Sequence, residues 1–127
     1  MRIRHVSVLV RDQDEAAAYY TEILGFRITE DTLLPSGKRW LALSGSEEGA
    51  TGILLSKANT EEQLALVGKQ AGGKVLLVLH TDSFDTDVAR LIAKGVKFVR
   101  GPVEEAWGKV AVFSDLYGNL LDLVQPV

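Results

Sequence analysis

Residues 4–28, RHVSVLVRDQDEAAAYYTEILGFRI, contain the signals of a strand, a helix and a second strand in close succession. The β-branched start, HVSVLV at 5–10, predicts a strand. Asp12, with Glu15 three residues later, predicts a helix start, because a carboxylate there accepts hydrogen bonds from the free amides of the first turn and interacts favourably with the helix dipole. Apolar residues then recur at helical spacing, and Gly25 can adopt the left-handed conformation that ends a helix. A second short strand, FRIT, follows at once.

The same order returns 70 residues later, which indicates an internal repeat. The second copy has a strand VLLVLH, a helix that we expect to be capped by Asp82 and ended by Gly95, and a short strand VKFV. Two further strands complete each copy: RWLALS (39–44) and TGILLSK (51–57) in the first, KVAVFS (109–114) and NLLDLVQ (119–125) in the second.

The sequence therefore predicts a single α+β domain over residues 1–127, built from two tandem βαβββ modules. The first module covers about residues 1–58 and the second about residues 74–127. In the connection, at about 59–73, Thr60 and Gln63 have the spacing of a capping box, which predicts a short helix.

Composition excludes several classes of function. The 127 residues are 46% hydrophobic and 24% charged, which is typical of one compact soluble domain. There is no cysteine, so a disulfide framework, a thiolate metal site and a cysteine nucleophile are all absent, as expected in the cytoplasm. The net charge is −3, and the basic residues are scattered, which argues against nucleic acid as a partner. No apolar run is long enough to span a membrane.

Three stretches carry a family resemblance: residues 4–28, quoted above, VLHTDSFDTDVARLIAKGVKFV at 78–99, and WGKVAVFSDLYGNLLDLVQP at 107–126. The two-module pattern resembles the vicinal oxygen chelate superfamily, which contains glyoxalases, bleomycin-resistance proteins and extradiol dioxygenases. The resemblance implies a glyoxalase-like fold in which both modules form a cupped, eight-stranded mixed sheet, often completed by a second chain in a homodimer.

The resemblance also implies a place for a divalent metal, on the first and last strands of each module. The corresponding positions here are His5, Leu54, Val75 and Asp122. Only His5 and Asp122 can coordinate a metal, whereas such sites generally have at least three protein ligands. His80, five residues after Val75, is expected on the opposite face of a regular strand, where it would look away from the cup or sit at its rim. The metal-binding set is therefore predicted to be incomplete, with His5 and Asp122 as weak candidate ligands.

His5 and Asp122 have two interpretations. Either each is a packed polar residue with its hydrogen bond satisfied, or the two meet across the cup as the polar floor of a ligand pocket. Ser7 and, at the rim, Trp107 complete the predicted pocket, although an aromatic residue at a strand start is more often a core or interface anchor. Arg39 and Lys109 could face an anionic ligand, but solvated surface charge is the commoner role.

Two functions from different classes fit these observations. The first is a metal-free binding protein that holds a small, partly apolar organic molecule in a pocket shared by two chains. The second is a metal-dependent lyase, isomerase or dioxygenase that uses His5 and Asp122. Fold resemblance by itself does not transfer a reaction, which favours the first.

Overall fold

Each half of the chain folds into a four-stranded mixed sheet with helices, in a computed structural model that describes residues 1–45 and 48–127. The chain divides into two units, Met1–Val67 and Gly68–Val127. The first unit contains β1 (His5–Val10), α1 (Gln13–Ala18), β2 (Arg27–Leu33), β3 (Arg39–Ser44), β4 (Gly52–Lys57) and α2 (Glu61–Leu66). The second contains β5 (Val75–His80), α3 (Phe84–Ala93), β6 (Phe98–Glu105), β7 (Gly108–Ser114) and β8 (Leu120–Pro126).

The two sheets have the same topology. Their strand orders are β1-β4-β3-β2 and β5-β8-β7-β6. In each, the first and last strands pair in parallel and the other pairs are antiparallel. A parallel pair cannot be closed by a tight turn and needs a long connection, which here runs through a helix and two other strands. This is the βαβββ order, and the predicted glyoxalase-like α+β fold class is confirmed.

One face of each sheet forms the core of its unit. In the first unit the fully buried side chains of that face come from three strands: Val8, Val10, Leu41, Leu43 and Leu55. They form the core together with Ala16 of α1 and with Tyr20 of the π-helical turn Tyr19–Ile23 that continues α1. In the second unit Ala111, Phe113, Leu121 and Leu123 pair across β7 and β8 and are buried together with Phe84, Val88 and Leu91 of α3.

The helix starts confirm two of three predicted caps. The backbone N–H of Glu15 donates to the Asp12 carboxylate at 2.8 Å, and that of Gln63 donates to the Thr60 hydroxyl at 3.1 Å. The prediction for Asp82 is wrong: α3 is preceded by Ser83 as its N-cap residue. The free backbone N–H of Phe84 donates instead to the side-chain amide oxygen of Gln125, at 2.8 Å. A side chain in β8, distant in sequence, thus does what a local carboxylate was expected to do.

Element lengths differ from the sequence-based expectation in two places. β2 and β6 extend well past FRIT and VKFV, into the polar segments EDTL and RGPVEE. Both are edge strands whose residues are almost all exposed, so the segments need no apolar alternation to stay paired. α2 covers only Glu61–Leu66 within the connecting segment 59–73, because the backbone leaves the helical conformation at Val67 and continues as turns.

Gly68 approaches the backbone of the β7–β8 turn more closely than a side chain would allow. It has φ of +78°, and a Cβ built on it would overlap the carbonyl oxygen of Tyr117. The turn itself is fixed by Asp115, whose carboxylate accepts from the backbone N–H groups of Tyr117 and Asn119 and from the side-chain amide of Asn119. Only glycine satisfies both the conformation and the contact.

We therefore expect Gly68→Ala to destabilise the protein by about 3 kcal/mol, of which about 1 kcal/mol is the left-handed backbone and the rest is overpacking. Gly73→Ala is the matched control, because Gly73 has φ of +89° with nothing within 4 Å of its Cβ position. It should lose only the backbone contribution. Urea denaturation of both variants measures the difference; equal losses would show that the turn moves to accommodate a methyl group.

Candidate functional site

The sheet of the first unit has a second face, which we call the His5 face and define by His5, Ser7, Trp40, Ala42 and Leu54. The register places these side chains together: Ser7 lies opposite Leu54, and Leu54 lies opposite Ala42 on its other side. Ala42 is fully buried and Leu54 nearly so, while His5 and Trp40 are half-buried and Ser7 is exposed. The predicted pocket residues His5 and Ser7 therefore share one face.

His5 leans over the neighbouring strand because that strand carries no side chain at the paired position. His5 pairs with Gly52 on β4, and a Cβ on Gly52 would lie 3.4 Å from Cδ2 of His5 and 2.5 Å from the carbonyl oxygen of Leu43. The imidazole then meets the indole of Trp40 from β3 edge to face, with ring centroids 6.0 Å apart. Nε2 of His5 is buried and has no hydrogen-bond partner in the described part of the chain.

Trp40 is in turn held by Glu30. Its indole Nε1–H donates to the Glu30 carboxylate at 3.1 Å, from the adjacent strand β2. In the sequence, Trp40 at the start of β3 has the position of a core or interface anchor, and no motif singles out Glu30 or Gly52. The sequence gives only a weak signal that Trp40, Glu30 and Gly52 lie near one another. They meet through the strand register, which composition and periodicity do not determine.

The second unit has an equivalent face, the Asp122 face, defined by Val78, His80, Val110, Val112 and Asp122. Val78 and Val112 flank Asp122 on the neighbouring strands. Val78 is 59% exposed, and Asp122 is half-buried. The carboxylate of Asp122 makes no hydrogen bond or ion pair with any residue in 1–45 or 48–127. An unpartnered, partly desolvated carboxylate among valines is available to a ligand.

The expectation that His80 faces away from Val75 is wrong. A bulge between Val75 and Leu77 shifts the register of β5 against β8 by one residue. Val75 lies opposite Leu120, Val78 opposite Asp122 and His80 opposite Val124, so their partners in β8 are residues 120, 122 and 124. Those three alternate along the regular strand β8 and share one face. The extra residue in β5 therefore brings the exposed His80 to the Asp122 face.

The four positions implied by the family resemblance are equivalent in the two sheets. In the first sheet His5 pairs with Gly52, which precedes Leu54 by two residues. In the second sheet Val75 pairs with Leu120, which precedes Asp122 by two residues. Two of the four side chains are aliphatic. Across residues 1–45 and 48–127, no group of three or more His, Cys, Asp or Glu residues is arranged to hold a metal ion. The donor set therefore does not fit a chelated metal, and His5 and Asp122 belong to different units.

Trp107 lies at the β6–β7 turn, away from Asp122 within the second unit. Its side chain is 55% exposed, and its carbonyl oxygen accepts from the backbone N–H of Val127 at 3.0 Å. Val112, the β7 partner of Asp122, is five residues further along, roughly 15 Å at the rise of a strand. A ligand that contacts both side chains must therefore be an extended one.

Arg39 and Lys109 are engaged in equivalent salt bridges. Arg39 donates to both oxygens of Asp31, each at 2.9 Å, and to Asp14 in the first turn of α1 at 2.7 Å. Lys109, one repeat of 70 residues later, donates to Asp85 in the first turn of α3 at 2.9 Å. The hydrogen bond to Arg39 lowers the pKa of Asp31, and that to Asp85 raises the pKa of Lys109. Both cations tie a helix to its sheet, which argues against a role in anion binding.

The Arg39 bridge makes stability depend on pH in a defined direction. The pKa of Asp31 is lower in the folded state than its ordinary value of 3.8. The contribution of the ionised Asp31 to the free energy of unfolding is therefore complete above pH 3.8 and is lost as the pH falls through the lowered pKa. We expect Arg39→Gln to lower Tm at pH 6 and to reduce the loss of Tm between pH 6 and pH 2.5. Arg27→Gln is the control, since the Arg27 side chain has no hydrogen bond or ion pair among the described residues. Parallel curves for all three proteins would contradict this.

The profile of the Glyoxalase/Bleomycin resistance protein/Dioxygenase superfamily matches residues 2–123. The chain therefore belongs to this superfamily, as the sequence resemblance predicted. An uncharacterized protein from Shewanella frigidimarina is 45% identical over 124 residues, which cover 97% of this chain and 92% of that one. Human mitochondrial methylmalonyl-CoA epimerase is 27% identical, over 98% of this chain and 73% of its own.

Solved structures agree with this membership. UcmS2 superimposes with a TM-score of 0.84 at 34% identity, covering 98% of this chain and 97% of its own. TnmS3, an antibiotic binding protein from Streptomyces sp. CB03234, superimposes with a TM-score of 0.79, also at 34% identity, covering 100% of this chain and 97% of its own. A search of the described residues finds no candidate membrane-spanning helix.

Proposed function

We propose that this protein binds a small, partly apolar organic molecule and does so without a complete catalytic metal site. The observation that carries the proposal is its 34% identity, across the whole chain, to the antibiotic binding protein TnmS3. The donor set supports it, because Leu54 and Val75 occupy two of the four positions where a metal-dependent relative would have ligands.

The chemistry of the two sheet faces fits such a ligand. Small-molecule sites are mostly apolar, with a few polar groups that fix orientation. The His5 face offers Trp40, Leu54 and Ala42 with His5 and Ser7, and the Asp122 face offers valines with an unpartnered carboxylate. In the proposal His5 and Ser7 are ligand contacts on the sheet of the first unit, and Asp122 and Trp107 are ligand contacts on that of the second.

We also propose that two copies of the chain associate. Each sheet has two open edges, and the outer edge strands β2 and β6 carry exposed apolar side chains: Ile28, Leu33, Val99 and Val103. Open edges and exposed apolar surface are what a symmetric dimer covers. Light scattering at micromolar concentration measures the mass directly, and a monomer would contradict this part of the proposal.

A second candidate, a metal-dependent lyase, isomerase or dioxygenase that uses His5 and Asp122, is favoured by the similarity to methylmalonyl-CoA epimerase. Metal analysis of protein purified without chelator separates the two functions. Stoichiometric metal that disappears in His5→Ala would support the enzyme. Metal-free protein that binds an organic ligand would support the binding protein.

The ligand-binding role of Asp122 can be tested with the residue that the chain itself uses at the equivalent position. Asp122→Leu places in β8 the side chain that Leu54 places in β4. Because it removes a partly desolvated carboxylate without a partner, we expect Tm to stay the same or to rise by a few degrees. Affinity for the best compound from a thermal-shift screen of apolar organic molecules should change at least five-fold.

Asp82→Asn is the matched control for this experiment. It removes an exposed carboxylate of the same unit that lies outside both faces, so affinity should not change. Equal affinities in wild type and Asp122→Leu would remove Asp122 from the site. A screen in which no compound raises Tm would contradict the binding function itself.

A further inference from the structure

Arg100 is a cationic residue of β6 on the same side of the second sheet as Asp122. Phe98, two residues earlier, packs its ring against the buried Phe113 of the core, with ring centroids 5.8 Å apart. In a regular strand Arg100 would point the same way as Phe98. A bulge between them shifts the register, so that Arg100 lies opposite Val112, which in turn lies opposite Asp122. The bulge thus turns a guanidinium toward the side that carries the Asp122 face.

The first sheet has the same bulge, and there the equivalent side chain has a partner. The register of β2 shifts between Ile28 and Glu30, and the Glu30 carboxylate accepts from the indole of Trp40. Position 110, one repeat of 70 residues after Trp40, is valine. Arg100 makes no hydrogen bond or ion pair with any residue in 1–45 or 48–127. Both sheets therefore share the bulge, but the guanidinium of the second has no partner in the described chain.

Arg100 and Asp122 are two opposite, unpartnered charges with one apolar side chain between them. Two strand spacings put their Cα atoms roughly 10 Å apart. Val112 between them is buried, and Val78 on the other side of Asp122 is exposed. A guanidinium binds carboxylate or phosphate oxygens through two parallel hydrogen bonds, and a carboxylate accepts from ammonium or hydroxyl groups. The two charges therefore complement the two ends of one molecule.

We propose that Arg100 and Asp122 select a small organic acid that also carries an amino or hydroxyl group, with an apolar framework between the two. The acid group binds Arg100, the amino or hydroxyl group binds Asp122, and the framework lies over Val112. Because the two contacts have opposite charge, they give the ligand a single direction across the sheet. This inference rests on the proposed binding function and names the chemical class of its ligand.

The test uses three probes that share a rigid, non-aromatic framework. The first, trans-4-(aminomethyl)cyclohexanecarboxylate, carries both charges. The second, trans-4-methylcyclohexanecarboxylate, carries only the acid, and the third, (trans-4-methylcyclohexyl)methanamine, carries only the amine. Binding is measured by NMR titration at neutral pH and low salt, with the methyl groups of Val78 and Val112 as reporters. The methyl groups of Val88, buried in the core on α3, report changes that are not local to the site.

Arg100→Gln and Asp122→Asn each remove one charge and keep a polar side chain. We expect Arg100→Gln to weaken the two probes that carry an acid about three- to ten-fold and to leave the amine unchanged. Asp122→Asn should weaken the two probes that carry an amine by a similar factor and leave the acid unchanged or tighter. The factor is modest because Arg100 is exposed, so that solvent screens its ion pair.

Arg90→Gln and Asp82→Asn are the matched controls, with the same chemical changes at other places in the second unit. Arg90 lies on α3, which packs on the core face of the sheet, and Asp82 is exposed before that helix. Neither control should change the affinity for any probe. Equal losses in Arg100→Gln and Arg90→Gln would show that only the net charge matters, and would overturn the contact with Arg100.

The remaining outcomes separate this inference from the proposed function. An acid probe that binds as tightly as the probe with both charges would overturn the contact with Asp122. Probes that shift neither Val78 nor Val112 at millimolar concentration, in a protein whose Tm other organic compounds raise, would overturn the ligand class and leave the binding function standing. If no organic compound raises Tm, the proposed function itself is overturned.

Discussion

The parallel pairing of first and last strands is the constraint on which each unit depends. It requires a long connection, which here runs through a helix and two antiparallel strands, and it sets a side chain of the first strand beside one of the last. His5 thereby lies next to Gly52, and Val78 next to Asp122. The polar groups of both faces are therefore placed by strand register, while the opposite faces are committed to the core.

Much of this arrangement could be predicted from the sequence. The bounds of β1, β3 and β5 agree with the predicted strands, because alternation and β-branched residues are local signals. The cap expected at Asp82 and the face expected for His80 could not be predicted correctly, since one depends on Gln125 from a distant strand and the other on a bulge. For the candidate site, His5 and Asp122 could be proposed from the sequence, whereas Gly52 and Glu30 could not, because their contacts arise only through strand register.

The two units have kept the same supports while their exposed chemistry has diverged. Arg39 and Lys109 each attach a strand to the first turn of a helix, at the same repeat position. On the faces that do not form the core, side chains at equivalent positions of the two sheets differ in chemistry. One set of cross-strand neighbours in the first sheet is Ser7, Leu54, Ala42 and Glu30. The equivalent set in the second sheet is Val78, Asp122, Val112 and Arg100. The salt bridges thus repeat at matching positions of the two units, whereas the exposed side chains of the two sheets differ in chemistry.

The bulge between Val75 and Leu77 shows how such divergence can arise in few steps. A single inserted or deleted codon in an edge strand reverses which side chains point to each side of the sheet, whereas substitutions would have to exchange them one by one. Because β5 is an edge strand, only its pairing with β8 has to adjust. A change of one residue in strand length is therefore enough to bring His80 to the face that carries Asp122, without exchanging any residue of the core.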